Sequence, residues 1–134
     1  LAISSCNKND STATIPNNDG DFVKYCEDLN TAKQTQIYVK EHWKKLINKE
    51  VVWTGKVYDA KSSRSSATIY IDKEERPAYK GYNITLQVAD MEMAGELKKR
   101  QKIKFRGQIS NYKDQRGGII IFTLISGEIL EVID

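Results

Sequence analysis

Residues 50–59 read EVVWTGKVYD. Val51, Trp53, Gly55 and Val57 alternate with Val52, Thr54, Lys56 and Tyr58. A period of two places successive side chains on opposite faces, which is the pattern of a β-strand. Glycine in mid-strand has no side chain to pack, so Gly55 marks a bulge or a sharp bend. A long first strand bent at its middle can pair with both sheets of a small barrel.

Downstream, the loop AKSSRSS (60–66) leads to ATIYID (67–72), with Ile69 and Ile71 opposite Thr68 and Tyr70. A polar connection containing Pro77 and Gly81 leads to YNITLQV (82–88). There Tyr82, Ile84, Leu86 and Val88 are expected to face inward, with Asn83, Thr85 and Gln87 outward. MEMAGELKK (91–99) reads as a short helix. QKIKFRGQI (101–109) is the cleanest strand: Ile103, Phe105, Gly107 and Ile109 inward, Lys102, Lys104, Arg106 and Gln108 outward. The turn NYKDQRGG (111–118) closes a hairpin into IIIFTLI (119–125), and EILEVI (128–133) adds a last apolar piece. Three strands, a short helix and two strands is the order of an OB-fold, a five-stranded Greek-key barrel. An SH3-like barrel lacks the helix between strands three and four.

Upstream, the period lengthens. Phe22, Cys26 and Leu29 fall at i, i+4 and i+7, one face of a helix over about residues 21–29. Thr31-Ala32-Lys33-Gln34 matches a capping box and predicts a second helix over about 32–47. Val39, Trp43, Leu46 and Ile47 line its apolar face. Cys26 is expected to act as a small buried hydrophobe. His42 lies off the apolar stripe and reads as a partly exposed helix residue. The expected fold class is therefore mainly β with N-terminal helices: two short helices over 21–48 packed on an OB-fold barrel over 49–134.

The 134 residues are 40% hydrophobic and 29% charged, enough for one ordinary core. Lys and Arg exceed Asp and Glu by 21 to 18, and a net charge of +3 does not by itself mark a nucleic-acid binder. No run approaches the roughly 20 apolar residues of a membrane-spanning helix. The two cysteines, Cys6 and Cys26, are compatible with one disulfide or with separate roles.

Residues 1–6 read LAISSC. An aliphatic residue, two small residues and a cysteine (Ile3, Ser4, Ser5, Cys6) resemble the bacterial lipobox. That resemblance implies a signal-peptide tail over 1–5 and lipid attachment at Cys6. Residues 7–20, NKNDSTATIPNNDG, hold too little apolar surface to fold and suit a flexible tether, giving an anchor-and-tether segment over 6–20. On this reading Cys6 is an anchor rather than half of a crosslink. The expected location is the bacterial envelope, periplasmic or outer surface, and not the cytoplasm.

WKKLINKEVVWTGKVYD (43–59), AGELKKRQKIKFRGQI (94–109) and the closing hairpin with Gly117 and Gly118 resemble the bacterial tRNA-anticodon-binding-domain-like OB-fold proteins, many of which are small lipoproteins. The resemblance covers about residues 30–134 and implies the barrel. Its name records kinship with tRNA-binding domains and carries no tRNA binding over to this chain.

OB-folds take ligands on the outer face of strands two and three, bordered by the loops between strands one and two and between four and five. Here that region presents Lys56, Tyr58, Thr68, Tyr70, Thr85 and Gln87, with Lys61, Arg64, Tyr112, Lys113 and Arg116 from the loops. Tyrosines can stack on bases and basic groups can hold phosphates. Equally, strand exteriors favour Tyr and Thr for packing, and Lys and Arg keep sheet edges from pairing. A second basic group, Lys98, Lys99, Arg100, Lys102, Lys104 and Arg106, reads as a solvated face that could meet anionic lipid or protein. Glu74 and Glu75 beside Arg76 read as a solvated turn. No nucleophile elbow, phosphate loop or zinc-binding helix motif occurs, so neither an enzyme nor a cofactor or metal site is expected. The expected partners are a membrane, through Cys6, and an envelope protein, glycan or small ligand on the barrel face. Nucleic acid is the alternative.

Overall fold

The computed structural model describes residues 19–115 and 118–133. Cys6, the tether up to residue 18 and Arg116 lie outside the described residues. In chain order the elements are α1 (Asp19–Asp28), α2 (Gln36–Leu46), β1 (Glu50–Ser63), β2 (Ser66–Asp72), β3 (Ile84–Val88), α3 (Met91–Gly95), β4 (Lys102–Asp114) and β5 (Ile120–Val132). The strands close as β1-β2-β3-β5-β4. β3 and β5 run parallel, and every other pair is antiparallel. This order, with α3 between β3 and β4, is the OB-fold.

Lys56 is where β1 changes partner. Residues 50–56 pair with β4 and residues 56–63 with β2. Gly55 sits one residue before the handover. A Cβ there would lie 2.5 Å from Ile71 Cγ2, so close approach of β2 demands glycine at this point. The bulge itself falls later, between Val57 and Asp59. The extra residue is Tyr58, which the bulge turns outward.

Inward positions of all five strands meet in one core that includes Trp53, Ile69, Leu86, Phe105 and Leu124. α1 belongs to the same core through Phe22, Tyr25, Cys26 and Leu29. Phe22 meets the Trp53 ring edge-on at 5.2 Å and the Phe122 ring at 6.0 Å. Burying a side chain of this size contributes about 1.5–3 kcal/mol, which a helix of only ten residues needs in order to persist. Burial pushes the Cys26 thiol up to about 12, so at neutral pH it is an un-ionised packing group.

Several expectations change. The second helix starts later: Thr35, not Thr31, is its N-cap, accepting from Tyr38 N. Thr31 is drawn away because its hydroxyl donates to Asp114 Oδ2 at 2.6 Å, and Gln34 donates to the Glu27 carbonyl. The stretch 60–66 is not a loop but the end of β1, a turn at Arg64 (φ 53°) and the start of β2. Residues 111–114 likewise extend β4, and residues 128–132 belong to β5. Tyr82 is not inward: β3 begins at Ile84, and Asn83 is fully buried in its stead. The Asn83 amide explains the exchange. Its Oδ1 accepts from Lys73 N, and its Nδ2 donates to the Lys73 and Arg76 carbonyls. These bonds tie the connection between β2 and β3 into one polar knot.

Glu74 and Glu75 are exposed, as expected, but the lysine before them is not. Lys73 is fully buried, with Nζ 2.7 Å from Asp19 Oδ1, 2.9 Å from Glu75 Oε1 and 5.2 Å from the Phe22 ring centroid. Arg76 pairs with Glu27, and Glu74 with Lys56 at 3.3 Å. Both ends of α1 are thus held to this connection by charge, while its apolar face is held by the core.

Candidate ligand face

The bulge exposes Tyr58, and outward alternation on β2 exposes one edge of Tyr70. Between β2 and β3 the chain makes a tight turn in which Tyr79 and Tyr82 exchange backbone hydrogen bonds. Gly81 closes that turn at φ +99°, and a Cβ there would lie 2.3 Å from Tyr58 Cε1. Glycine therefore serves twice: it adopts the backbone angle, and it lets the Tyr58 ring lie on the turn. The result is a cluster of four rings. Tyr82 is the hub, 4.9 Å from Tyr70 edge-on, 5.9 Å from Tyr58 and 6.4 Å from Tyr79.

Two ammonium groups lie over these rings, Lys61 at 5.4 Å from the Tyr70 centroid and Lys80 at 5.3 Å from that of Tyr79. Each fixes a flexible cation beside an aromatic face. Tyr58, Asp59, Lys61, Tyr70, Lys80 and Tyr82 line a concavity of about 280 Å³. Tyr58 and Asp59 also border a neighbouring cleft of about 340 Å³, whose far wall includes Lys56, Asp72, Glu74 and Arg100. Burial, with the Glu74 charge beside it, raises the Asp72 carboxyl above its ordinary range, against the pull of Lys56 and Arg100. The cleft is a balanced mixture of charges, whereas the tyrosine concavity combines ring faces with two cations and one carboxylate.

Tyr58, Lys61 and Tyr70, singled out in the sequence, are brought into one site. Thr68, Thr85 and Gln87 continue the same outer face, since Thr68 pairs with Gln87 and Tyr70 with Thr85 across β2 and β3. Lys56 joins the adjacent cleft, in its ion pair with Glu74. Arg64 stands at the hairpin tip beyond Lys61 and Thr68. The structure places Tyr112 elsewhere: its ring packs on Trp43 of α2 at 4.7 Å, where burial and then the Asp114 charge raise its hydroxyl. Lys113 lies near the end of β4, opposite Ile121 of β5 and past the part of the strand that pairs with β1, so it does not join the tyrosine concavity. Of the second basic group, Arg106 is paired with Glu128.

Tyr79, Lys80 and Tyr82 are the residues sequence reasoning missed. The signal was a glycine flanked by aromatics in AYKGY (78–82), which marks a turn that presents its neighbours. Among the described residues no three His, Cys, Asp or Glu side chains converge as a metal would require. The arrangement is equipped to hold a ligand by stacking and by charge.

No protein-family model and no curated protein matches the chain. Solved structures that resemble it include aspartyl-tRNA synthetase from Entamoeba histolytica, at 7% identity and a TM-score of 0.46 over 67% of this chain and 20% of that one. Asparaginyl-tRNA synthetase from Pyrococcus horikoshii matches at 18% identity and 0.46, over 67% and 21%. The S. pombe Stn1-Ten1 complex matches at 11% identity and 0.40, over 63% and 59%. The chain spans about a fifth of the length of the synthetases it resembles. The fold assignment rests on strand order and closure alone.

Proposed function

We propose that this chain is a binding module of the bacterial envelope, tethered through a lipid on Cys6, which docks a protein, glycan or small envelope ligand on its tyrosine face. The reading rests on one observation, the gathering of Tyr58, Tyr70 and Tyr82, with Tyr79 packed on Tyr82, around a concavity on the outer side of β1 and β2. Tyrosine offers rigid apolar area with a polar tip, which suits sugar faces and mixed ligand surfaces. The tether supports the reading from the sequence side, because anchoring raises the concentration of the module at the surface it serves. A second reading, a nucleic-acid-binding barrel, is favoured by Lys61 and Lys80 over the rings, since single-strand binders set cations beside stacking platforms.

One titration separates the two. Soluble muropeptides and a labelled oligothymidine are each added to the chain at low and moderate salt, with the tyrosine ring resonances as readout. Muropeptide binding that moves Tyr58, Tyr70 and Tyr82 and changes little with salt supports the first reading. Oligothymidine binding that falls steeply with salt, as counterion release requires, replaces it with the second. In either case Tyr70→Ala weakens binding by about tenfold or more, the loss of one stacking partner. Ring resonances unmoved by both probes would remove the site from these ligand classes. Anchoring is read separately: the N-terminal peptide from the native host carries the mass of a diacylglyceryl cysteine, and Cys6→Ser releases the chain from membranes. An unmodified Cys6 overturns the tether.

A further inference from the structure

A second concavity, of about 390 Å³, opens where α1, α2 and the linker into β1 meet. α1 contributes Lys24, α2 contributes His42 and Lys45, and the linker contributes Lys49. Three ammonium groups thus border one cavity. Its wall contains a single carboxylate, Asp28, and that group is engaged: the Tyr38 hydroxyl donates to Asp28 Oδ1 at 2.9 Å.

Some lysines elsewhere are answered by carboxylates, Lys33 by Glu27, Lys44 by Glu41, Lys56 by Glu74 and Lys73 by Asp19. Among the described residues Lys24, Lys45 and Lys49 are in no ion pair. Three ammonium groups against one carboxylate leave the cavity wall with a net positive charge, which is the electrostatic setting that draws an anion.

Parts of the wall are also positioned. Lys49 Nζ lies 5.5 Å from the Tyr25 ring centroid, and the buried ring holds it at the cavity edge. His42 stacks on Tyr38 with centroids 3.9 Å apart, and its Nδ1 lies 2.9 Å from the Tyr38 carbonyl oxygen. A carbonyl only accepts, so Nδ1 carries the proton, leaving Nε2 as the atom with which the ring can meet a ligand.

We propose that this cavity binds a phosphate group, carried by a soluble phosphomonoester or by a lipid headgroup. Ammonium groups arriving from three separate segments suit a tetrahedral anion that accepts hydrogen bonds in several directions, more than a planar carboxylate. The volume exceeds that of phosphate alone and admits part of the molecule bearing it. The site involves none of the tyrosine-face residues, so the two stand or fall separately.

The test uses the isotope-labelled chain and two probes, glycerol 3-phosphate in solution and phosphatidylcholine vesicles with or without phosphatidic acid. The expected result is saturable binding of at least one probe, with resonance shifts centred on Lys24, His42, Lys45 and Lys49. Binding of glycerol 3-phosphate identifies a soluble ligand, and binding confined to vesicles containing phosphatidic acid identifies a headgroup. Lys45→Gln with Lys49→Gln lowers affinity by about tenfold or more, while Lys102→Gln leaves it unchanged. The lysines of the site are exposed, so matched melting temperatures show that the variants keep the fold. Absence of binding by both probes overturns the proposal. So does binding that Lys102→Gln weakens as much as the pocket variant does, since that marks a general basic surface.

Discussion

Replacing Lys73 by alanine lowers stability by about 3 kcal/mol, the lower end of what removing one member of a buried ion pair does. The lower end applies because Asp19 and Glu75 keep 29% and 51% of their side-chain surface in water and are partly re-solvated when the lysine goes. In a thermal melt this is a fall of about 10 °C for a domain of this size. Lys73→Met is the informative companion. It keeps an apolar stem over Phe22 and deletes only the charge. Methionine therefore recovers part of the loss if the stem packs, and none of it if the ion pair carries everything.

The same contact has a pH signature. Burial alone would raise the Asp19 carboxyl, but hydrogen bonds from Lys73 and from the Thr54 amide and hydroxyl outweigh it, and the group titrates below its ordinary 3.8. A carboxyl lowered on folding adds stability that is fully present above the unfolded value and is lost as pH falls through the folded one. Without Lys73 the same burial leaves the Asp19 carboxyl higher than in the parent chain, so the gap between the parent and Lys73→Met is widest near neutrality and narrows as acid protonates that carboxyl. Urea midpoints at pH 7 and pH 3 measure it. An equal gap at both values would show that Asp19 is not the partner that matters.

How much of this was legible beforehand depended on where each side chain's partner lay. Residues 101–109 alternate because one face of β4 is core and the other is water, so the strand declares itself locally. The outer part of β1 does not. Lys61, Ser62 and Ser63 are exposed whichever face they lie on, so they read as loop while their backbones pair with β2. Tyr82 misled for a related reason: it has the right parity for the core, but Asn83 took the buried place because its amide satisfies three backbone groups of a turn ten residues earlier. Lys73 was the least legible. A lysine after a strand reads as solvent-exposed, and its burial depends on Asp19 and Glu75 closing over it. The candidate face divided along the same line. Tyr58 and Tyr70 followed from strand parity, whereas Tyr79, Lys80 and Tyr82 are placed by a turn whose geometry parity does not describe.

Trp53→Ala has the largest expected effect, about 3–5 kcal/mol, because it removes a fully buried indole on which three other rings pack. Set against a total of roughly 5–15 kcal/mol for a domain, this brings the chain close to unfolding. The more discriminating question is which part loosens first. Trp53 touches Phe22 and Tyr25 of α1 as well as Phe122 of β5, so it is both a barrel residue and the socket of the helix. Cys26 reports on the helix directly: it is 1% exposed, its thiol is raised by burial, and it reacts with a disulfide reagent only when α1 leaves the barrel. In a Cys6→Ser background, Trp53→Ala therefore speeds Cys26 modification by at least about tenfold, while the amides of β3 and β4 stay protected from exchange. Trp53→Phe, which keeps an aromatic edge for Phe22, produces a smaller rise. Strand amides that exchange in step with thiol modification would refute local release and make α1 part of one cooperative unit with the barrel. That result would bear on the phosphate cavity too, since a helix that opens on its own brings Lys24 and Asp28 to the cavity only while docked, whereas a helix fixed to the barrel holds them there permanently.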